Sequence, residues 1–235
     1  MPSEKFKVII KKDGPYAVSG GLPLSKEIIG TDKDGNSVKW VKGEEYPKKE
    51  TYELCRCGQS KNHPYCDGMH TVVGFDGKET ATKRKFLEQA EKISGPGVEL
   101  LDAEEFCAGV RFCHDNDGRV WDLTRDSGDP KSKKIAIKQA CNCASGRLVA
   151  CEKKTKELIE PHHEPSICLI EDPEAKASGP IWLKGGIPLE SADGTKYETR
   201  NRVTLCRCGM STNKPFCDSR HVSAKFKDGD KSVEE

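Results

Sequence analysis

One ligand pattern, Cys-x-Cys-x8-Cys-x3-His, occurs twice in this 235-residue chain and constrains its folding more than any other feature. The first copy, in CRCGQSKNHPYCDGMH, consists of Cys55, Cys57, Cys66 and His70. The second copy, in CRCGMSTNKPFCDSRH, consists of Cys206, Cys208, Cys217 and His221. Thiolate and imidazole are the softest ligands that a protein has, so three thiols and one imidazole in one short loop indicate a metal site. Each loop is therefore expected to fold around a metal centre.

Disulfides are the competing use of the cysteines, of which the chain has 12. The sequence opens MPSEKFKVII, without the apolar segment of a secretory signal, so we expect a reducing compartment, the cytoplasm. Cysteines one residue apart are also poorly placed to bridge each other. We therefore expect free thiols at the six motif positions.

The choice of metal depends on how the ligands are grouped. Three Cys and one His form a legitimate zinc set, and a structural zinc site is the alternative. Zinc sites usually combine a Cys-x2–4-Cys knuckle with a second pair, whereas here a Cys-x-Cys is followed by a separate Cys and His. Two ligands close together and two further along the chain suit a two-iron cluster, with one pair for each iron.

Both loops resemble the CDGSH iron–sulfur domain of the mitoNEET family, whose pattern is Cys-x-Cys-x2-Ser/Thr-x3-Pro-x-Cys-Asp-Gly-x-His. The first loop matches the pattern at Ser60, Pro64, Asp67 and Gly68. The second loop matches it at Ser211, Pro215 and Asp218, but has Ser219 in place of Gly and Arg220 before the His.

The resemblance implies a [2Fe–2S] cluster in each loop. In that family the Cys-x-Cys thiolates hold the inner iron, and the third Cys and the His hold the outer iron. By this resemblance, Cys55 and Cys57 hold the inner iron of the first cluster, and Cys66 and His70 hold its outer iron. In the second cluster, Cys206 and Cys208 hold the inner iron, and Cys217 and His221 hold the outer iron.

A single His ligand gives such a cluster two properties. It leaves the site less negative than four thiolates do, so the potential should lie between roughly −400 mV for all-cysteine plant-type sites and roughly −150 mV, where the Rieske range begins. The imidazole must be neutral to bind, so a modest drop in pH can detach it. Both properties suit electron transfer and cluster transfer.

Side chains next to the ligands are expected to adjust each site. Asp67 and Asp218 read as helix starts, which direct the positive end of the helix dipole toward the anionic cluster. Arg220, beside His221, should disfavour protonation of that imidazole and raise the potential of the C-terminal cluster, so the N-terminal cluster should be lost first on acidification. Arg56 and Arg207 are either solvated strand residues or electrostatic groups.

The repeat extends beyond the ligands, because residues 14–15 and 20–24 (GP and GGLPL) match residues 179–180 and 185–189 (GP and GGIPL). Each unit is predicted to be a small β-rich module with a short helix after its third Cys, and modules of this size bury too little apolar surface to be stable alone. The resemblance implies that two such modules pack as a dimer, so two copies in one chain imply an intramolecular pseudo-dimer. We predict modules over 1–83 and 161–235.

The middle domain, 84–160, has a different pattern. Helical spacing predicts a helix through Phe86, Leu87, Ala90 and Ile93, ended by Gly95, and Asp102 with Glu105 resembles a capping box. A further short element of undetermined type is expected before Cys141.

Three middle cysteines, Cys107, Cys113 and Cys143, resemble the ligands of the divergent single-cluster [4Fe–4S] ferredoxin region that often accompanies CDGSH motifs in bacterial chains. The second ligand position of that pattern falls on Val110, which cannot bind iron. The segment therefore either holds a [4Fe–4S] cluster completed by Cys141 or His114, or is a ferredoxin-like spacer with buried thiols. The missing ligand favours the spacer.

Composition excludes several functions. The net charge is +1, so no nucleic-acid or anionic-membrane surface is implied, and no apolar run approaches the roughly 18 residues that span a bilayer. No phosphate loop, catalytic triad or carboxylate pair rises above chance, so no enzymatic activity is expected. We expect an α+β, monomeric protein with two [2Fe–2S] clusters that transfers one electron to a redox partner protein. A cluster donor, storage or repair protein acting on an apo-acceptor is the second hypothesis, and a structural zinc protein is the third.

Overall fold

The computed structural model describes residues 5–233, which form a mixed α/β structure with several small sheets and few helices. The N-terminal region contains five strands and one short helix, namely β1 (Lys7–Ile10), β2 (Tyr16–Ser19), β3 (Leu24–Thr31), β4 (Ser37–Glu45), β5 (Thr51–Leu54) and α1 (Met69–Val72). Strands β3 and β4 form an antiparallel hairpin, in which Ile29 lies opposite Trp40.

The middle region contains most of the helix. Its elements are α2 (Phe86–Gln89), β6 (Glu91–Ser94), β7 (Glu99–Asp102), a 3-10 turn (Glu104–Phe106), β8 (His114–Asp115), β9 (Gly118–Arg119), α3 (Val120–Arg125), α4 (Pro130–Cys141), β10 (Leu148–Cys151) and β11 (Leu158–Ile159). The C-terminal region contains β12 (Ser166–Asp172), β13 (Ala177–Lys184), β14 (Leu189–Glu190), β15 (Arg202–Leu205), α5 (Arg220–Ser223) and a final 3-10 turn (Lys231–Val233).

Two of the sheets combine strands from both ends of the chain. One has the order β14-β1-β2-β5, and the other has the order β15-β13-β12-β3-β4. The links between the two ends are parallel pairings, with Val8 opposite Leu189 and Leu24 opposite Ile167. A third sheet, β11-β10-β7-β6, comes from the middle region alone.

The principal core joins these three sheets. Strands β1 and β2 alternate between buried and partly exposed residues, as expected for strands with one face on a core. Tyr16, Leu54, Ile167 and Leu205 are almost completely buried in this core, and Phe106 of the middle region packs against it. A separate core under α3 and α4 includes Leu100, Val120, Ala140 and Cys143.

The structure corrects two local predictions in the middle region. The predicted helix ends early, because α2 has only four residues and Ile93 lies in strand β6, which pairs with β7. Asp102 does not cap a helix, since its carboxylate accepts hydrogen bonds from the Trp121 indole (2.8 Å) and the Arg147 guanidinium (2.6 Å).

The undetermined element before Cys141 is α4. The Asp129 carboxylate accepts a hydrogen bond from the Ser132 backbone N–H (2.8 Å) at its start, and Pro130 occupies the first turn, where a missing N–H costs nothing. Within residues 5–233, no helix is both long and apolar enough to cross a membrane.

Candidate metal centres

Two backbone hydrogen bonds bring the ligands of each loop together. The Cys55 N–H donates to the Pro64 carbonyl (2.8 Å), and the Cys66 N–H donates to the Glu53 carbonyl (2.9 Å). The same bonds recur in the second loop, from Cys206 to Pro215 (2.8 Å) and from Cys217 to Thr204 (3.0 Å). The third Cys of each loop is therefore attached to the strand, β5 or β15, that delivers the first.

The Ser and Asp that the two loops share shape the backbone of each loop. The Ser60 hydroxyl donates to the Tyr65 carbonyl (2.6 Å) and accepts from the Asn62 N–H (3.0 Å), so it stabilises a turn. The Asp67 carboxylate accepts from the N–H groups of Lys61 (2.8 Å) and Met69 (3.1 Å), which closes the loop onto the start of α1.

Ser211 and Asp218 form the corresponding bonds in the second loop, to Phe216, Asn213, Thr212 and Arg220. The prediction that Asp67 and Asp218 start the helices is off by one residue, because the N-caps are Gly68 (φ 89°) and Ser219 (φ 67°), both left-handed. The second loop therefore has a serine where the backbone favours glycine.

The predicted ligands form two contacting pairs in each loop. The Sγ atoms of Cys55 and Cys57 lie 3.8 Å apart, and Cys66 Sγ lies 3.3 Å from His70 Nδ1. In the second loop the Cys206–Cys208 distance is 3.6 Å, and the distance from Cys217 Sγ to His221 Nδ1 is 3.4 Å. Among the described residues, no group of three or more His, Cys, Asp and Glu surrounds a single ion position. This paired donor set fits a group containing two metal ions.

The thiols need a cation in order to ionise together. Burial raises the pKa of Cys57 to about 11 and also raises the pKa of Cys66. Between Cys206 and Cys208, the hydrogen bond joining the thiols lowers the pKa of Cys206 to about 6 and raises that of Cys208. Each Cys-x-Cys pair thus retains a proton that a bound metal must displace.

An arginine is buried between the first two ligands of each loop, each only 2% exposed. Arg207 donates to the Glu171 carboxylate (2.6 Å), to Asp228 and to the Gly179 and Ile170 carbonyls (2.6 and 2.9 Å). Arg56 donates to the carbonyls of Lys11 (3.3 Å) and Gly77 and lies over the rings of Tyr16 and Phe75.

Both arginines are therefore interior cations and not solvated strand residues. The signal in the sequence was their position, since each lies directly between two cysteine ligands in both copies.

The sequence assigned the disfavoured protonation of His221 to Arg220, but in the structure other groups cause it. Its side chain is 54% exposed, and its Nε lies 3.3 Å from Asp218. Burial lowers the pKa of His221 to about 4, and the positive charges of Arg207 and Arg111 contribute in the same direction. Burial, with the charges of Arg207 and Arg111, and not Arg220, therefore disfavours protonation of this imidazole.

The two ligand loops contact each other. A Cβ atom added to Gly58 would lie 2.6 Å from the Cys208 carbonyl oxygen, and one added to Gly209 would lie 2.5 Å from that of Cys57. The Tyr16 hydroxyl donates to the Cys206 carbonyl (2.8 Å), which links the N-terminal sheet to the second loop. Glycine is thus required at these two positions by the approach of the opposite loop.

The three middle cysteines converge. Cys107, Cys113 and Cys143 line one pocket together with Arg111, Ser145 and Arg147. Burial raises the pKa of Cys113 to about 11, and the charges of Cys143 and Cys107 add to the increase. Cys141 is directed elsewhere, since its Sγ lies 3.7 Å from the Ile159 carbonyl oxygen, whereas His114 Nδ1 lies 3.5 Å from Cys113 Sγ. Val110 is buried among Phe112, Ile170 and Trp182.

All twelve cysteines are free thiols. Cys168 lies in an apolar core with its Sγ 3.3 Å from the Ser25 hydroxyl, and Cys151 is also buried in a core.

Comparison with protein families identifies the three regions. A family described as iron-binding zinc finger, CDGSH type, matches residues 13–71 and 178–222. A family described as divergent 4Fe-4S mono-cluster matches residues 93–153. Comparisons with curated proteins and with solved structures gave no significant match. The matched regions contain both ligand loops and the three converging cysteines, Cys107, Cys113 and Cys143.

Proposed function

We propose that this chain, a tandem CDGSH iron–sulfur protein with a divergent ferredoxin-like middle region, transfers single electrons through two [2Fe–2S] clusters. The observation that carries the proposal is the pairing of ligands in each loop, two thiols 3.6–3.8 Å apart and a thiol 3.3–3.4 Å from an imidazole. A bound cluster supplies one reversible electron at each site.

The protein's own groups prepare the sites for this role. Arg56 and Arg207 place a buried positive charge beside the ligands, which offsets the negative charge of the thiolates and of an added electron. The backbones of the loops are held by hydrogen bonds to the side chains of Ser60, Asp67 and their counterparts, so little reorganisation accompanies a change of charge.

We also propose that the middle region holds a third cluster, of the [4Fe–4S] type. The convergence of Cys107, Cys113 and Cys143 on one pocket and the family match over 93–153 favour this over the spacer with buried thiols that the sequence favoured. His114 is the candidate fourth ligand, because its Nδ1 lies 3.5 Å from Cys113 Sγ.

The two CDGSH modules are proposed to form an intramolecular pseudo-dimer in a monomeric protein. The sheets that combine β1 with β14 and β3 with β12 support this arrangement, as do the reciprocal contacts of Gly58 and Gly209. The partner is then a separate redox protein, and the chain performs no substrate chemistry of its own.

A second candidate function is delivery of a cluster to an apo-acceptor protein. The partial exposure of Cys66 and His70 favours it, because an acceptor's thiols could reach the outer ligands of the first site. In this role the cluster is cargo, and the imidazole is the ligand that is exchanged.

Metal analysis tests the cofactor assignment. We expect about four iron and four sulfide per chain from the two loops, and about eight of each when the middle site is filled. Replacing Cys107, Cys113 and Cys143 with Ser should remove about four of each, whereas the matched Cys141→Ser change should remove none. Zinc at about two per chain in a colourless protein would contradict the assignment.

A redox titration then separates the two functions. Reversible reduction with full retention of iron supports electron transfer. Stoichiometric loss of iron and sulfide to an apo-ferredoxin, without a reversible redox wave, would instead establish cluster donation.

A further inference from the structure

The two outer ligand pairs have the same chemistry but different surroundings. Cys217 and His221 are each 3% exposed, whereas Cys66 and His70 are both partly exposed. The difference extends to the flanking residues, since Asp67 is exposed and Asp218 only partly exposed. The ligand sequences are too similar to account for this asymmetry, so its cause must be another part of the chain.

The middle region supplies that cause, because several contacts among the described residues join it to the second loop. A Cβ atom added to Gly109 would lie 3.0 Å from Ser219 Cβ and 3.5 Å from Val222 Cγ2, so residues 108–110 lie directly against α5. Ala108 and Val110 share an apolar cluster with Cys217 itself. The ring of Phe106 packs edge-on against Phe216, the residue before Cys217, with centroids 5.0 Å apart.

A side-chain hydrogen bond closes the same contact. The Asn213 amide donates to the Glu105 carbonyl oxygen (2.8 Å), which ties the second loop to the 3-10 turn of the middle region. A polar cleft runs beside this contact and reaches Asn213 and Asp218, but Cys217 and His221 stay buried.

The first loop contains the matching residue, Asn62, 151 positions earlier, and it lies exposed at the surface. Thr71 of α1, which corresponds to Val222 of α5, is exposed as well, whereas Val222 is partly buried beside Gly109.

We propose that the middle region is a cover for one of the two CDGSH sites, so that the chain has one exchange site, at Cys66 and His70, and one retained site, at Cys217 and His221. The proposal rests on the proposed function, because both sites must hold clusters. It assigns contact with partners, whether they take an electron or a cluster, to the N-terminal loop. It also gives the middle region a role that is independent of its own thiols.

Chelation at constant neutral pH tests the proposal. The wild-type protein is mixed with excess EDTA at pH 7.5, and iron release is followed by the loss of visible absorption. A variant lacking both loop clusters (Cys55, Cys66, Cys206 and Cys217 all replaced with Ser) supplies the baseline for the middle site. We expect two phases of equal amplitude, with rates that differ by about tenfold or more, since an opening cost of about 1.4 kcal/mol slows release tenfold.

Single-site variants identify the phases. Cys206→Ser with Cys217→Ser should leave only the fast phase, and Cys55→Ser with Cys66→Ser should leave only the slow one. Equal rates for the two sites would overturn the cover. Absence of a cluster from both single-site variants and from the wild type would instead overturn the proposed function.

Two substitutions open the cover, each with a matched control. Asn213→Ala should accelerate the slow phase, whereas Asn62→Ala should leave both phases unchanged. Gly109→Ala should also accelerate only the slow phase, because its methyl group meets Ser219. Gly194→Ala is its control, since Gly194 has a similar positive φ (83° against 72°) and no atom within 4 Å of an added Cβ. If neither Asn213→Ala nor Gly109→Ala changes the slow phase, the middle region is not the cover.

Discussion

At the scale of single residues, the buried arginines distinguish two sites that have the same ligands. Arg207 is compensated by Glu171 and Asp228, both nearly inaccessible to solvent, so the charge around the second site is partly cancelled. Arg56 donates to carbonyl oxygens, and within the described residues no carboxylate pairs with it. A reduced cluster is more negative, so the less compensated cation should give the N-terminal site the higher potential, contrary to the expectation based on Arg220.

The histidines lead to a prediction on acidification. His221 is buried and its pKa is lowered to about 4, first by burial and then by Arg207, so its imidazole stays neutral, and able to bind metal, to a lower pH than an exposed one. His70 is partly exposed. We expect the N-terminal cluster to be lost first when the pH is lowered from 7 to 5, as measured by stopped-flow absorbance.

Ligand substitution provides the control for this prediction. His70→Cys should remove the early phase of acid-driven loss, and His221→Cys should affect only the late phase. Replacing both should flatten the pH dependence below about pH 7, since no imidazole remains to be protonated. Earlier loss from the site of His221 would show that burial does not protect it.

Glu171 should make stability depend on pH. Burial raises its pKa to about 7 despite the ion pair with Arg207, and its Oε2 atom has no hydrogen-bond partner among residues 5–233. A carboxyl group with a pKa above its unfolded value adds stability at low pH, and that stability is lost as the pH rises through about 7. Glu171→Gln should therefore become more stable relative to wild type between pH 5.5 and 8.5, by on the order of 1–3 kcal/mol.

Urea denaturation at both pH values measures this difference. Glu174→Gln, three residues away and exposed, is the control and should show no change with pH. A constant difference between Glu171→Gln and wild type across the range would show that Glu171 is ionised throughout.

At the scale of elements, strand β15 holds the end of helix α4 through one side chain. Arg202 is 1% exposed and donates to the carbonyls of Ala140 (2.8 Å), Cys141 (3.1 Å) and Cys143 (2.8 Å). Its Nε also pairs with Glu160 (2.7 Å). The last carbonyls of a helix have no partner within it, so a cation there both satisfies them and complements the helix dipole.

Arg202→Met should be strongly destabilising. It leaves several buried carbonyls and Glu160 without a donor, and breaking a buried pair in this way costs roughly 3–5 kcal/mol. Because Cys143 lies two residues after the end of α4, iron at the middle site should fall as well. Urea denaturation and iron analysis measure both effects, with Arg125→Met as the control, since the Arg125 side chain is 60% exposed. Unchanged middle-site iron would show that α4 is held without Arg202.

Local patterns in the sequence predicted the elements that depend on neighbouring residues. The short helix that comes after the third Cys of each loop, α1 or α5, follows from short-range spacing within the loop. The helical prediction for Ile93 was wrong, because pairing of strand β6 with β7 outweighed the helical spacing of the apolar residues. The burial of Arg56 and Arg207 could not be predicted either, since their partners lie 21 to 45 residues away.

At the scale of the whole molecule, the chain is tied together by contacts between its two ends. The middle region is inserted between the two CDGSH regions in sequence, yet β1 pairs with β14 and β3 with β12 across it. The repeat in the sequence implied that the modules meet, but the side on which the middle region packs depends on surface contacts such as Asn213 with Glu105, which no periodicity encodes.

The parallel pairing of β1 with β14 has a consequence during synthesis. The ribosome adds about 5–20 residues per second, so the first ligand set emerges roughly 8–30 s before the second, which lies 151 residues later. Until residues 166–190 have been synthesised, β1 and β3 have no β14 and β12 to cover their edges. A nascent or prematurely terminated chain thus presents open strand edges beside reactive thiols, a state that invites both aggregation and oxidation.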